Sequence, residues 1–300
     1  MNVRVVGGSG FIGSHILDQF LAKGVSVTDF DIMPPRQAGP RHIYVDILDS
    51  SKAVIALAGE FDAIFMLAAI ANVGDVFRNP TEAVEVNVSA AANVLEAVRR
   101  HDIPRVVLAS TVWVYSAADA NECDEDTPLR PSGVDHVYTA TKIAAEMLTH
   151  SYSKLYGLKY TILRYGIPYG PRARSGTAIA EFVRRALHHE AIIIQGDGQQ
   201  TRRFIYVEDL AEANILALSE KAINKTYNVD GQEEVRILDI ANKVRALVGP
   251  TEIRYTEQRP GDYKPKFARN DRIKADLGWM PSTSLDEGLK KYVKWYTETH

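Results

Sequence analysis

Val3-Arg4-Val5-Val6-Gly7-Gly8-Ser9-Gly10-Phe11-Ile12-Gly13 places an apolar, strand-like run directly before a GxxGxxG turn and directly ahead of a helical pattern. Glycine at 7, 10 and 13 lets the chain turn tightly, brings backbone N–H groups close to a pyrophosphate and packs the following helix against its strand. Ile12, Ile16, Leu17, Phe20 and Leu21 recur at helical spacing, and Gly24 stops that helix. Val25 to Phe30 then reads as a second strand ending at Asp31, where an acidic side chain meets the ribose of an adenosine. Strand, glycine turn, helix, strand and acid together predict a dinucleotide site. An ionised Asp31 accepts hydrogen bonds from ribose hydroxyls and repels a 2′-phosphate, which favours NAD over NADP, with Arg36 tempering the preference.

The chain has 300 residues, a formal net charge of −3 with both signs interspersed, eight histidines and one cysteine. No basic face advertises nucleic acid or an anionic membrane. No apolar run approaches the roughly 20 residues of a membrane span, and the N-terminus enters a strand at once, which reads as cytoplasmic. A single cysteine excludes an internal disulfide framework. Cys123 lies in the acidic run Asn121-Glu122-Cys123-Asp124-Glu125-Asp126 and is expected in a surface loop. No metal site is expected, since the adjacent His188 and His189 point to different sides of a helix.

Strand-like and helix-like segments alternate through the first half, as a doubly wound parallel sheet requires. Strands are expected at 4–6, 25–30, 63–67, 106–109 and 160–163, and helices at 83–100 and 139–156. The turn-rich Gly166-Ile167-Pro168-Tyr169-Gly170-Pro171 marks a domain crossing. The expected organisation is a Rossmann-type domain over 1–165 and a smaller C-terminal α/β substrate-binding domain over 166–300. The chain is expected to cross back near 201–225 and to end in a helix over 285–297.

Tyr138 and Lys142 open a predicted helix, and four residues are about one turn, so phenol and ammonium point at the same place. A free tyrosine, with a pKa of about 10, is a poor base at neutral pH; a neighbouring cation favours the phenolate. Upstream, Val106 to Tyr115 reads as one strand carrying the hydroxyls of Ser110 and Thr111 at the end that faces the ligand crevice of an open α/β sheet.

These motifs resemble the extended short-chain dehydrogenase/reductase family, specifically the NAD-dependent epimerase/dehydratases acting on nucleotide sugars. The resemblance runs nearly end to end. It takes in Gly7 to His15, Asp46-Ile47, Leu67-Ala68-Ala69, Asn87-Val88, Ala109-Ser110-Thr111, Tyr138/Lys142, Tyr169-Gly170-Pro171-Arg172, Gly196-Asp197-Gly198, Arg202 to Asp209, Arg259-Pro260-Gly261-Asp262 and Leu277-Gly278-Trp279. It implies Thr111, Tyr138 and Lys142 as the catalytic set. The implied NAD-binding residues are Gly7, Gly10, Phe11, Ile12, Gly13, Asp31, Asp46, Ile47, Leu67, Ala68, Ala69 and Asn87, with Tyr138 and Lys142. Thr111, Tyr138, Arg202, Arg259 and Asp262 are implied to hold the nucleotide sugar, the arginines because a planar fork suits phosphate oxygens. A homodimer through the helices at 83–100 and 139–156 is also implied.

Two departures stand out. Ile167 replaces the usual Asn of R-x-x-N-x-Y-G, and His136-Val137 replaces the common Ser-Pro before the tyrosine, so that His136 is a candidate for the sugar pocket. Family 4,6-dehydratases carry Asp-Glu directly after the catalytic Thr, and UDP-glucuronate decarboxylases carry Glu at the second of those positions. This chain has Val112-Trp113. The reading is therefore NAD-dependent C4 epimerisation of a UDP-hexose or UDP-hexuronate through a transient 4-keto sugar. A 4-ketosugar reductase is the alternative, and a non-catalytic dinucleotide-sensing module a more remote one.

Overall fold

The structure, a computed structural model, describes residues 1–257 and 266–300. In chain order the first half runs β1 (Asn2–Val6), α1 (Phe11–Ala22), β2 (Ser26–Asp31), β3 (Arg41–Tyr44), α2 (Ser50–Ala56), β4 (Ala63–Met66) and α3 (Val73–Arg78). It continues through α4 (Pro80–Val84), α5 (Ala90–Arg100), β5 (Val106–Thr111), β6 (Glu122–Cys123), α6 (Val137–Tyr156) and β7 (Tyr160–Tyr165). The second half adds β8 (Ile167–Tyr169), α7 (Ala178–Leu187), β9 (Ile192–Gln195), β10 (Thr201–Tyr206), α8 (Val207–Leu216), β11 (Lys225–Val229) and β12 (Glu234–Arg236). It closes with α9 (Ile237–Val248), β13 (Ile253–Thr256), β14 (Phe267–Ala268), α10 (Asp271–Leu277) and α11 (Leu285–Thr299).

Seven parallel strands form the main sheet in the order β11-β7-β5-β4-β1-β2-β3. β1 pairs with β2 on one side (Val3 opposite Val27) and with β4 on the other (Val3 opposite Ala63), so strand order reverses there and opens a crevice above the carboxyl ends. Both faces are covered. Phe20 of α1 and Leu210 of α8 pack with Val3, Val5 and Phe65 on one side; Ala91, Val94 and Leu95 of α5 pack with Ile64, Met66 and Val106 on the other. Each such fully buried aliphatic or aromatic side chain contributes on the order of 1.5–3 kcal/mol of transfer free energy. A third core, with Phe182, Ile194, Tyr206, Ile240 and Leu289, holds the second half together.

The chain leaves the main sheet after β7 and comes back for α8, which lies on α1, and for β11, which extends the sheet beside β7. β3 and β11 are strands that hydrophobic alternation alone does not reveal, β3 because its four residues are only partly buried or exposed.

Three expectations are corrected. The helix expected over 83–100 is α4, a π-helical turn over Glu85–Ser89, and α5. The strand expected to run to Tyr115 ends at Thr111 and tightens into a 3₁₀ turn over Val112–Tyr115. Cys123 is not on the surface: it is fully buried in β6, which pairs with β14, and it packs with Val112, Val114 and Tyr115. Of the acidic residues around it, Asp124 and Asp126 reach outward, to Arg269 at 2.8 Å and Arg272 at 2.6 Å, whereas Glu125 turns inward and accepts from the Asn228 N–H at 2.7 Å. Burial pushes the Cys123 thiol up, away from thiolate.

Candidate active site

The glycine turn joins β1 to α1 at the strand-order reversal. Gly7 adopts φ +89°, and a Cβ there would lie 2.5 Å from the backbone nitrogen of Ala68; a Cβ on Gly13 would lie 2.2 Å from the Gly7 carbonyl oxygen. Only glycine fits either position. Gly10 precedes α1 with no side-chain cap, so the first N–H groups of the helix, on Phe11, Ile12 and Gly13, are left for an anionic ligand. Leu67 and Ala68 run beside the turn, both donating their N–H to the Val6 carbonyl. This uncapped, glycine-walled helix start fits a dinucleotide pyrophosphate.

Asp31 stands at the end of β2 with Oδ2 accepting from the Ser9 N–H at 3.0 Å and Oδ1 from the Met33 N–H at 2.9 Å. Burial pushes its carboxyl up, against those hydrogen bonds. Arg36 spends its Nε on the Ser9 carbonyl at 2.8 Å. Past β3, Asp46 is exposed and accepts from the Leu48 N–H, whereas Ile47 is buried and its carbonyl accepts from Asn93. Asn87 lies in the π-helical turn, buried, with its amide spent on protein. It accepts from the Ile70 N–H at 2.8 Å and donates to the Ile70 carbonyl at 2.9 Å and to Thr141 Oγ1 at 3.0 Å. In this position Asn87 fastens the loop after β4 to α6.

β5 and α6 bring Thr111, Tyr138 and Lys142 together. Tyr138 opens α6 at its second residue; burial pushes its phenol up to about 12, and the neighbouring Thr111 hydroxyl works downward against it. Lys142 is buried, donates from Nζ to the Ala109 carbonyl at 3.1 Å, and lies 6.0 Å from the Tyr138 ring centre. Burial brings its ammonium down to about 8, with Glu146 pulling it back up. Glu146, one turn further along α6, takes the Ser110 hydroxyl at 2.5 Å and a two-pronged ion pair from Arg164 at 2.7 and 3.0 Å. Arg164 continues to Tyr115 at 2.6 Å, and Tyr115 donates to Asn228 at 2.8 Å. Ser110 therefore serves the scaffold, and Thr111 is the hydroxyl that meets the tyrosine.

Two neighbours of Tyr138 were not singled out as site residues by the sequence. The charge of Arg174 bears on the phenol and lowers its pKa, and Asp75 interacts with the same arginine. Trp113 sets its ring edge-on to both Tyr138 and His136, at 6.2 and 5.8 Å. His136 caps α6, its Nδ1 accepting from the Tyr138 N–H at 3.2 Å, so its ring serves the helix start. Ile167 opens β8 opposite Phe204, and Arg202 on β10 is buried with a donated bond to the Thr201 carbonyl at 2.8 Å. Arg259 and Asp262 lie outside the described residues. Among the described residues there is no cluster of side chains able to hold a metal ion, and no helix long and apolar enough to cross a membrane.

A parallel sheet with a glycine-walled turn at its reversal and a Thr–Tyr–Lys set gathered at the end of β5 and the start of α6 is the arrangement of an NAD-dependent enzyme of the short-chain dehydrogenase/reductase type. Residues 3–230 match the model of the NAD dependent epimerase/dehydratase family, and the chain belongs to that family. It is 30% identical to a UDP-N-acetyl-alpha-D-glucosaminuronate decarboxylase of Bacillus cytotoxicus, over 98% of this chain and 97% of that protein. It superposes on a UDP-glucose 4-epimerase from Thermotoga maritima solved with UDP-glucose, with a TM-score of 0.92 and 27% identity over 100% of this chain and 99% of the other. It is also similar to the UDP-glucuronic acid 4-epimerase of Bacillus cereus solved with UDP-glucuronic acid and NAD, with a TM-score of 0.90 and 27% identity over 100% of both chains. NAD is the cofactor of the family, and the glycine-walled turn suits it.

Proposed function

We propose that the protein epimerises a UDP-sugar at C4 through a transient 4-keto sugar, with a UDP-hexuronate or UDP-hexose as substrate. The observation that carries this reading is the Thr111–Tyr138–Lys142 set backed by Val112 and Trp113, an apolar pair at the positions where elimination or decarboxylation needs an acid. Tyr138 takes the proton of the C4 hydroxyl, and Thr111 holds that hydroxyl by hydrogen bond. The Lys142 ammonium, 6.0 Å from the ring centre, is placed to favour the phenolate that burial disfavours. Bound NAD supplies the hydride acceptor and donor at C4. Trp113 sets a ring with no ionisable group beside Tyr138, and return of the hydride to the other face of the ketone gives the C4 epimer.

Gly7, Gly10, Phe11, Ile12, Gly13, Asp31, Ile47 and Leu67 to Ala69 are proposed to line the NAD site, and Arg202 with Arg259 and Asp262 the UDP site. Residues 1–165 with the returning α8 and β11 form the proposed NAD-binding part, and the rest of 166–300 the sugar-nucleotide part. The proposed setting is a cytoplasmic homodimer.

Incubation with UDP-glucuronate and UDP-glucose in separate reactions with NAD, followed by chromatography and mass measurement, tests the reading. The expected product is the C4 epimer with unchanged mass. Loss of carbon dioxide or of water moves the protein to a decarboxylase or dehydratase, and stoichiometric use of NADH on a 4-keto sugar moves it to the reductase.

A further inference from the structure

Asp29 is a carboxylate in the middle of β2 with no exposed surface, directly beneath the glycine turn. Its Oδ2 accepts from the Ser9 hydroxyl at 2.7 Å and from His42 Nδ1, on the neighbouring strand β3, at 2.9 Å. Its Oδ1 is buried with no hydrogen-bond partner. That oxygen occupies the space where a side chain on Gly8 would begin, 2.3 Å from an ideal Cβ, which accounts for the one glycine of the turn that pyrophosphate geometry leaves unexplained. A sheet interior gains nothing from an anion that an aliphatic residue would not supply better.

Ser9 is the piece this carboxylate holds, and every polar atom of Ser9 is in use. Its N–H donates to the Asp31 carboxylate at 3.0 Å, its carbonyl accepts from Arg36 at 2.8 Å, and its hydroxyl lies 2.7 Å from Asp29 and 2.9 Å from the Met33 carbonyl. Of those two acceptors the Asp29 oxygen is the nearer. Ser9 thus couples the turn that faces the pyrophosphate to the acid that faces the ribose.

We propose that Asp29 is a positioning residue for NAD: with His42 it fixes the Ser9 hydroxyl, and through Ser9 it sets the relative placement of the glycine turn and Asp31. It touches no part of the cofactor itself. The inference rests on NAD binding and is independent of which reaction the sugar undergoes.

Calorimetric titration of nucleotide-depleted protein with NAD, alongside thermal melting without NAD, tests it on three variants. Ser9→Ala removes the hydroxyl and weakens NAD at least fivefold while the NAD-free melting temperature stays within a few degrees of the parent. Asp29→Asn keeps an acceptor of the same shape for Ser9 and His42 and binds NAD within threefold of the parent, whereas Asp29→Leu weakens it at least as much as Ser9→Ala. Less than a fivefold loss in Ser9→Ala overturns the proposal, as does a loss in Asp29→Asn equal to that in Ser9→Ala. Should Asp29→Leu fail to fold, the other two variants decide.

Discussion

Tyr138 carries a conflict between environment and task. Burial raises its phenol to about 12, so at neutral pH it is protonated, yet the proposed reaction asks it to accept a proton. The Thr111 hydroxyl and the Arg174 charge are the groups on the protein that oppose burial, and Lys142, 6.0 Å from the ring centre, is itself held near 8. Tyr138→Phe keeps the ring against Trp113 and removes the proton acceptor; turnover is expected to fall roughly 10²- to 10⁴-fold with little change in substrate binding. Thr111→Val is expected to be similarly damaging and Thr111→Ser tolerated, since the hydroxyl makes the bond. Steady-state rates and substrate affinity of the three variants check this, and near-parental turnover by Tyr138→Phe removes the tyrosine from its role. At this scale the sequence was highly informative. The glycines sit at the close approaches, and Tyr138 and Lys142 on the one helix turn, that their type and spacing led one to expect, while Thr111 as their partner came from the family resemblance. The capping role of His136, the approach of Arg174 to Tyr138 and the use of Asn87 were not legible, since they depend on which segments meet in space.

Among the elements, β11 shows how a strand end is tuned. Asp230 directly follows it, fully enclosed, with Oδ1 taking the Gly231 N–H at 2.8 Å and filling the space that Gly166, after β7, leaves by lacking a Cβ. Burial pushes its carboxyl up to about 7, with the Arg203 charge and the hydrogen bonds from Gly231 and Ala268 working downward. A folded-state value above the unfolded one means that the native protein binds the extra proton. The stability it contributes is complete near pH 4 and is lost as pH rises through 7. Between pH 6 and pH 8 this one group is expected to cost about 1.4 kcal/mol of stability, and Asp230→Asn to remove that slope. Denaturant unfolding of both proteins at the two pH values checks it; parallel slopes contradict the assignment. Element boundaries were less legible than residues. The 3₁₀ turn after Thr111 and the π-helical turn around Asn87 keep the apolar spacing of the strand and helix they interrupt, so periodicity runs straight through them.

For the whole molecule, the two halves are joined by polar contacts as well as by the returning β11. Arg172, at φ +65°, reaches from the loop after β8 to Asp18 of α1 and to Gln37 at 2.5 Å each, so the second half grips the helix that starts at the cofactor turn. The doubly wound sheet was legible as a class from alternation, and a return near 201–225 was expected; that the returning chain adds β11 beside β7 at the sheet's far edge needed tertiary pairing to appear. Val84 of α4 and Met147, Leu155 and Tyr156 of α6 are exposed apolar residues on the helices expected to form a dimer. Light scattering at micromolar concentration is expected to give twice the mass of one chain, with Met147→Glu shifting it toward one chain; a monomeric parent contradicts the dimer.

The central claim is that hydride leaves and returns to the same carbon within one active site. UDP-glucuronate bearing deuterium at C4, incubated with the protein and NAD in ordinary water, tests this most directly by the position of the label in the product. The account predicts the C4 epimer with deuterium retained at C4 and no label accumulating in free NADH. An epimer that has lost the label to solvent, or a product that has lost carbon dioxide, contradicts it.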